Sequence, residues 1–447
     1  MRLDIALVCC ADIPAENLER FTADLPRQLI DEALLSTGVG TLRRRRLPME
    51  QVVWLVIGMA LRRDLAIAEV VDKLDLALPD RERNATVAPS AVAQARQRLG
   101  VAPVEWLCLR TGSQWGHESA SRHRWRGLAL YATDGTTLRV ADSAENRKHF
   151  GGQPAGKAGR GESGYPLVRL TALMALRSHV IVSASFGPYR VDERVYAEDV
   201  WPEVPDDALV LLDRNFLQAN LMVGLAAGGR ERHWLMRAKS NSRFTVVEKL
   251  GRGDALAEME VSSEARRKDP TLPRKMTVRV IEYRLPGYAP QVLLTSLTDA
   301  KRYPVEEIRA LYHERWEIEI GYDEIKTEML LREECIRSRT KAGVMQEIWG
   351  VLLAYNLVRV EIERIAAQLK VAPTRISFVA ALRYIVDQLE VAVITRSPGT
   401  IPRRLATMRD RMRRFVLPPR RSARRYPRAV KVKMSNYPLN RTRRRGR

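Results

Sequence analysis

Two short, almost unbroken apolar runs, each closing on an aspartate, constrain the fold of this 447-residue chain more than any other feature. LALYAT leads into Asp134, and ALVLL leads into Asp213. Runs of this length and composition predict strands, and their lack of a polar face predicts cover on both sides, as in a mostly parallel sheet flanked by helices. The segment RLTALMALRSHVIVSASF (169–186) predicts further strand. An aspartate at the end of such a strand stands where open α/β sheets hold their ligands. Taken singly, each is more often a turn former or helix cap. Residues 240–297 interrupt the α/β rhythm with TVVEKL, MTVRVIEYRL and QVLLTSL between glycines and prolines, and predict a small all-β insertion.

Residues 28–115 read as helical. MEQVVWLVIGMALRR (49–63) is apolar nearly all round and predicts a buried helix. DLAIAEVVDKLDLAL (64–78) repeats its apolar residues at helical spacing. APSAVAQARQRLG predicts a short basic helix, with Ser90 as N-cap and Gly100 closing it. Its Gln94, Arg96, Gln97 and Arg98 suit either base-edge reading or an ordinary surface helix.

The charge is lopsided. The chain carries 75 Lys and Arg against 53 Asp and Glu, and residues 402–447 hold 18 of those cations and a single acid. Pro402, Pro418, Pro419, Pro427 and Pro438 forbid one long helix there, so an extended or partly ordered basic arm is expected. Such an arm fits a phosphate-bearing partner, with Phe415, Tyr426 and Tyr437 interleaved as stacking groups. The apolar stretches are shorter than the roughly 20 residues of a bilayer crossing. The four cysteines form no C-x-x-C, and the N-terminus has no clean cleavage site, so a reduced, cytoplasmic protein is expected. GGQPAGKA (151–158) mimics a P-loop but ends in Ala158 where a hydroxyl is required, and reads as a Gly-rich loop near the catalytic face.

The stretch YPVEEIRALYHERWEIEIGYDEIKTEMLLREE opens with Pro304, Glu306 and Glu307, a good helix start. At about 100° per residue, Arg315, Glu319 and Lys326 fall within about 60° of Tyr312, on one face. One carboxylate between two cations and a phenol suits a metal ligand ringed by phosphate clamps, or else an exposed salt-bridged face. His149 and His313 are read as structural or solvent-facing, and Trp234 and Trp316 as DNA-contact candidates for which core packing is the stronger reading.

The spacing Y-x2-R-x3-E-x6-K of Tyr312, Arg315, Glu319 and Lys326 resembles the signature of DDE transposases of the insertion-element-four family. Asp134 in TDGTTLRVADSAENRKHFG resembles the family's first-aspartate motif, and Asp213 in VLLDRNF its second, with Asn215 where a glycine often stands. RRRRLPMEQVVWLVIGMALRR and SAVAQARQRLG resemble its N-terminal domain, and RRYPRAVKVK its basic C-terminal stretch. The resemblance implies an α/β, ribonuclease-H-like core with an all-β insertion, preceded by a helical N-terminal domain and followed by a basic tail. The expected boundaries are 1–120, 121–239, 240–297, 298–395 and 396–447. It further implies that Asp134, Asp213 and Glu319 hold two Mg²⁺ ions, with Mn²⁺ able to substitute, and that Tyr312, Arg315 and Lys326 bind DNA phosphates. The implied reaction is cleavage at the inverted-repeat ends of an insertion sequence and strand transfer into target duplex, by a homodimer on DNA. The rival readings are a decayed or repurposed DNA-binding protein and a nuclease of the same fold.

Overall fold

The two aspartate-tipped runs become adjacent parallel strands in one large sheet. The structure is a computed structural model that describes residues 18, 23–39, 47–77, 87–154, 162–284, 290–331, 335–395 and 397–419. The strands are β1 (Ala129–Val140), β2 (Leu167–Ala175), β3 (Ile181–Pro188), β4 (Ala208–Leu212), β5 (Arg232–Arg237), β6 (Thr245–Gly251), β7 (Asp254–Glu260), β8 (Lys275–Tyr283), β9 (Gln291–Thr295) and β10 (Cys335–Ile336). Their order is β3-β2-β1-β4-β5-β9-β8-β7-β6, with β10 also pairing with β1. β4 is parallel to β1 and to β5, whereas β2 and β3 run antiparallel.

The insertion differs from expectation in two ways. Its strands continue the main sheet through the antiparallel β5–β9 pair, and a short helix, Ser263–Lys268, interrupts them. The segment is therefore not purely β. The sequence SEARRK has Ser262 as its cap, its hydroxyl accepting from the Ala265 N–H at 3.1 Å.

Five helices precede the sheet: α1 (Arg27–Ser36), α2 (Met49–Leu61), α3 (Ile67–Lys73), α4 (Pro89–Leu99) and α5 (Ala102–Arg122). α2 is buried from Met49 to Ala60, bar Glu50, as its all-round apolar sequence demands. It lies among α1, α3, α4 and the 29-residue α12 (Lys341–Leu369). α3 is shorter than its apolar repeat predicts. α5 packs on β3 and β2, so closely that a Cβ on Gly112 would stand 2.6 Å from the Ile181 carbonyl oxygen. A domain boundary at residue 120 would cut this helix near its end and assign it away from the sheet it covers.

The intervening helices are α6 (Ala144–Phe150), α7 (Glu193–Val200), α8 (Ala219–Ala227), α9 (Ser263–Lys268), α10 (Val305–Tyr312) and α11 (Trp316–Asp323). α12 packs on α5 and clips the sheet with a buried amide: Asn356 donates to the Ile181 carbonyl at 2.7 Å and accepts from its N–H at 2.9 Å. Beyond it come α13 (Phe378–Ile394) and α14 (Ile401–Arg411). The start of the basic arm is thus helical and packed, because Ile401, Leu405 and Met408 give it a buried stripe against α12 and α13, and Pro402 sits in the first turn where it is tolerated. Phe415 packs on Tyr384, ring centroids 5.5 Å apart. Tyr426, Tyr437, RRYPRAVKVK and the second half of the GGQPAGKA loop lie outside the described residues.

The short basic helix α4, open to base reading or an ordinary surface role, turns one of its cations inward. Arg96 donates to Gln346 at 2.9 Å and to Ser338 at 3.1 Å, and Gln346 donates back to the Arg96 carbonyl at 2.9 Å. Gln94 and Gln97 remain exposed. Nearby, Glu347 is buried and accepts from Arg63 and from the Arg337 and Ser338 N–H groups, while Arg337 donates to the Met59 and Leu65 carbonyls. These charge-assisted bonds clamp the N-terminal helices onto α12.

Candidate active site

The register of β1 and β4 decides where the first two acids meet. Parallel pairing ends at Thr133 opposite Leu212, so Asp134 and Asp213 are the next residue on each strand. β10 takes up the same edge of β1 only at Arg139. Asp134 does not end its strand, as the DGTT sequence suggests. β1 continues through it because Asp134 to Arg139 pair with β2, whose long apolar run supplies the partner residues Ala172 to Leu167. The site therefore opens where the sheet loses a neighbour, while the backbone stays held on the other side.

Glu319 comes from α11, and Arg315 connects it to the sheet. One guanidinium nitrogen lies 2.6 Å from Glu319 Oε1 and the other 3.6 Å from Asp134 Oδ2. Tyr322 fixes the same helix: its hydroxyl donates to the Asp134 carbonyl at 2.6 Å and accepts from the Ala172 N–H at 3.2 Å. Burial pushes the Asp134 carboxyl up to about 7; the Gly135 N–H and Arg315 oppose this, and Glu193 and Asp213 add to it. Burial disfavours the Arg315 cation, but Glu319, Tyr312 and Asp134 outweigh it and hold its pKa above the ordinary value. Burial also raises the Tyr312 phenol, against Arg315, with Asp213 raising it further. Tyr312, Arg315, Asp213, Asp134 and Glu319 thus belong to one electrostatic neighbourhood.

The helix bearing them is not continuous. A 3₁₀ turn at His313–Arg315 separates α10 from α11, and a π-helical stretch, Glu324–Met329, follows. Tighter winding and then wider winding replace the uniform 100° step of an ideal helix. Lys326 stands on the π-helical stretch, half-buried, a turn and more beyond the Arg315–Glu319 pair. His179, between β2 and β3, faces Glu317 at 2.8 Å and Glu324 at 3.4 Å. Arg359 and Tyr355 of α12 also reach Glu324, at 3.3 and 2.7 Å. This buried network anchors the segment that carries Glu319.

Several residues were not legible as site members. Glu193, at the start of α7, lines a polar cavity of about 670 Å³ together with Asp213, Arg214, Asn215 and Lys239. No local pattern marks it, since only the tertiary fold brings α7 over β1. Burial and Arg194 lower the Lys239 pKa, against Asp192 and Asp213. Trp316 is 44% exposed, with the Arg315 guanidinium carbon 5.3 Å from its ring centroid, so it is not a core residue. Trp234 is buried. His149 packs edge-on against Phe150, and His313 bonds the Tyr283 hydroxyl.

The donor set is all oxygen, which suits a hard divalent cation. Among the described residues no three His, Cys, Asp or Glu side chains are already gathered into a metal cage. A positive charge nevertheless lies between two of the acids, namely the Arg315 guanidinium.

Comparison with known proteins places the chain in a family. The insertion element 4 transposase N-terminal family matches residues 15–108, and the transposase DDE domain family matches residues 125–357. The chain is 37% identical over 420 residues to the transposase InsG for insertion sequence element IS4 of Escherichia coli (strain K12), covering 93% of this chain and 92% of that one. It is 36% identical over 236 residues to the putative transposase InsZ of the same strain, covering 53% and 77%. A solved piggyBac transposase synaptic complex with hairpin DNA aligns at a TM-score of 0.43 and 11% identity, over 93% of this chain and 88% of that one, too slight a likeness to argue from. Matches to both family domains, in order, and a relative aligned over nine-tenths of both chains at this identity mean that the chain belongs to the insertion-element-four family of DDE transposases.

Proposed function

We propose that Asp134, Asp213 and Glu319 are the metal-holding acids of this transposase, and that Tyr312, Arg315 and Lys326 bind DNA phosphates beside them. The observation that carries the reading is Arg315, which contacts both Asp134 and Glu319 while the strand register sets Asp134 beside Asp213. The strand order β3-β2-β1-β4-β5 with β2 antiparallel supports a ribonuclease-H-like core, into which the strands after β5 are inserted. Divalent-metal dependence belongs to the family; Mg²⁺, with Mn²⁺ as substitute, is the choice for an oxygen-only donor set. When bound, the cations supply activation of the attacking oxygen and stabilisation of the leaving one.

The chain's own residues then do the following. Asp134 releases its proton near neutral pH as its oxygens are engaged. Arg315 and Tyr312 turn toward the scissile phosphate and stabilise the charge gathering on its oxygens. In the first step water forms the new bond to phosphorus and the 3′-oxygen of the element's end leaves, taking a proton. In the second, that 3′-hydroxyl bonds to a target phosphorus, loses its proton to solvent, and displaces a target 3′-oxygen, which takes up a proton from solvent. The partners are the element's inverted-repeat ends and a target duplex, engaged by a homodimer. Among the described residues no helix is long and apolar enough to cross a membrane.

The test is strand transfer with purified protein, a labelled duplex bearing the element's own end, a target plasmid and Mg²⁺, beside Glu319→Gln. Joined product from wild type and none from the variant is expected. Cleavage without joining would make the protein a nuclease, and binding without cleavage would leave only a DNA-binding role.

A further inference from the structure

Glu193 belongs to no motif, yet the fold aims it at the acids. Asp192 caps α7, accepting from the Arg194 N–H at 3.0 Å, and the Thr171 hydroxyl of β2 donates to the Glu193 carbonyl at 3.1 Å. The first turn of α7 is therefore fixed to the strand beside β1. The Asn215 amide, two residues past Asp213, donates to Glu193 Oε1. The other carboxylate oxygen, Oε2, lies over Gly135: a Cβ built there would stand only 2.1 Å from it. The residue after Asp134 must lack a side chain for Glu193 to reach this place. Glu193 and Asp213 line the same polar cavity, whereas Glu319 approaches Asp134 through Arg315.

We infer that Glu193 is a fourth metal-ligating carboxylate, which would hold a cation on the cavity side of the site beside Asp213. Asn215 holds one oxygen in place and leaves the other to the cation, the usual arrangement by which an outer partner orients a ligating carboxylate. The inference rests on the proposed metal-binding roles of Asp134, Asp213 and Glu319. The competing role is a helix start that merely tethers Asn215.

Counting bound Mn²⁺ by electron paramagnetic resonance separates the two, using the full chain in complex with a duplex bearing its element's end. Glu193→Gln preserves an acceptor for Asn215 and removes only the charge, and its metal-free melting temperature checks folding. Wild type is expected to bind two ions. Glu193→Gln should weaken one of them by at least about tenfold, Glu193→Asp should recover part of the loss, and Gly135→Ala should mimic Glu193→Gln by pushing the side chain aside. Glu319→Gln should weaken the other ion. Unchanged Mn²⁺ binding in Glu193→Gln, with Asp213→Asn impaired, overturns the role of Glu193 and leaves the three-acid reading intact. If Asp213→Asn is also unimpaired, or wild type binds no Mn²⁺, the three-acid reading falls and this inference with it.

Discussion

Glu324→Gln tests whether the buried network beneath the site holds the Glu319 segment in place. Glu324 begins the π-helical stretch and accepts from the Tyr355 hydroxyl at 2.7 Å, with Arg359 at 3.3 Å and His179 at 3.4 Å. The Arg359 and His179 side chains are each 1% exposed, so neither can turn to water when the carboxylate goes. Burial alone would raise the Glu324 pKa, but Arg359, His179 and Tyr355 prevail and hold it down at about 2, against an ordinary 4.5. At about 1.4 kcal/mol per pKa unit, that difference is roughly 3 kcal/mol of folded-state stability, the lower edge of what breaking a buried ion pair costs. The folded pKa is depressed, so the contribution is complete above pH 4.5 and is lost as pH falls through about 2. Urea unfolding, with amide exchange across residues 316–329 as a local probe, should show the variant about 3 kcal/mol weaker at pH 7 and only about 1 kcal/mol weaker at pH 3. A gap below 1 kcal/mol at pH 7, or one that fails to narrow in acid, refutes the reasoning.

Three further outcomes are expected. The Asp134 carboxyl has a folded pKa raised to about 7, so metal-free wild type should lose roughly 4 kcal/mol relative to Asp134→Asn as pH rises from below 4 to above 7, read by thermal melting across that range. Arg96→Ala should cost about 1–3 kcal/mol by stranding the Gln346 and Ser338 partners, while Gln94→Ala and Gln97→Ala leave the melting temperature unchanged; equal effects of all three would contradict the inward placement of Arg96. Truncation after Pro419 removes 12 basic and no acidic residues, and should flatten the slope of log affinity for duplex DNA against log salt by several units. An unchanged slope would take the tail out of DNA binding.

Local pattern and tertiary context divide cleanly in this chain. The helix at Met49–Leu61, the strands leading to Asp134 and Asp213, the order of the three acids, the Arg315–Glu319 spacing and the concentration of cations after residue 402 were all readable from the sequence, because periodicity, propensity and charge are properties of neighbouring residues. Register, burial and the joining of distant segments are not. That Asp134 lies inside a strand follows from its pairing with β2, and that it stands beside Asp213 follows from where β4 stops. The strands after β5 extend the main sheet because their hydrogen bonds found an edge there. Arg96 turns inward because α12 offers it Gln346. Glu193 reaches the acids only because α7 crosses a glycine. Each of these is settled by hydrogen-bond satisfaction and burial between residues far apart in the chain, for which a single sequence carries no local mark.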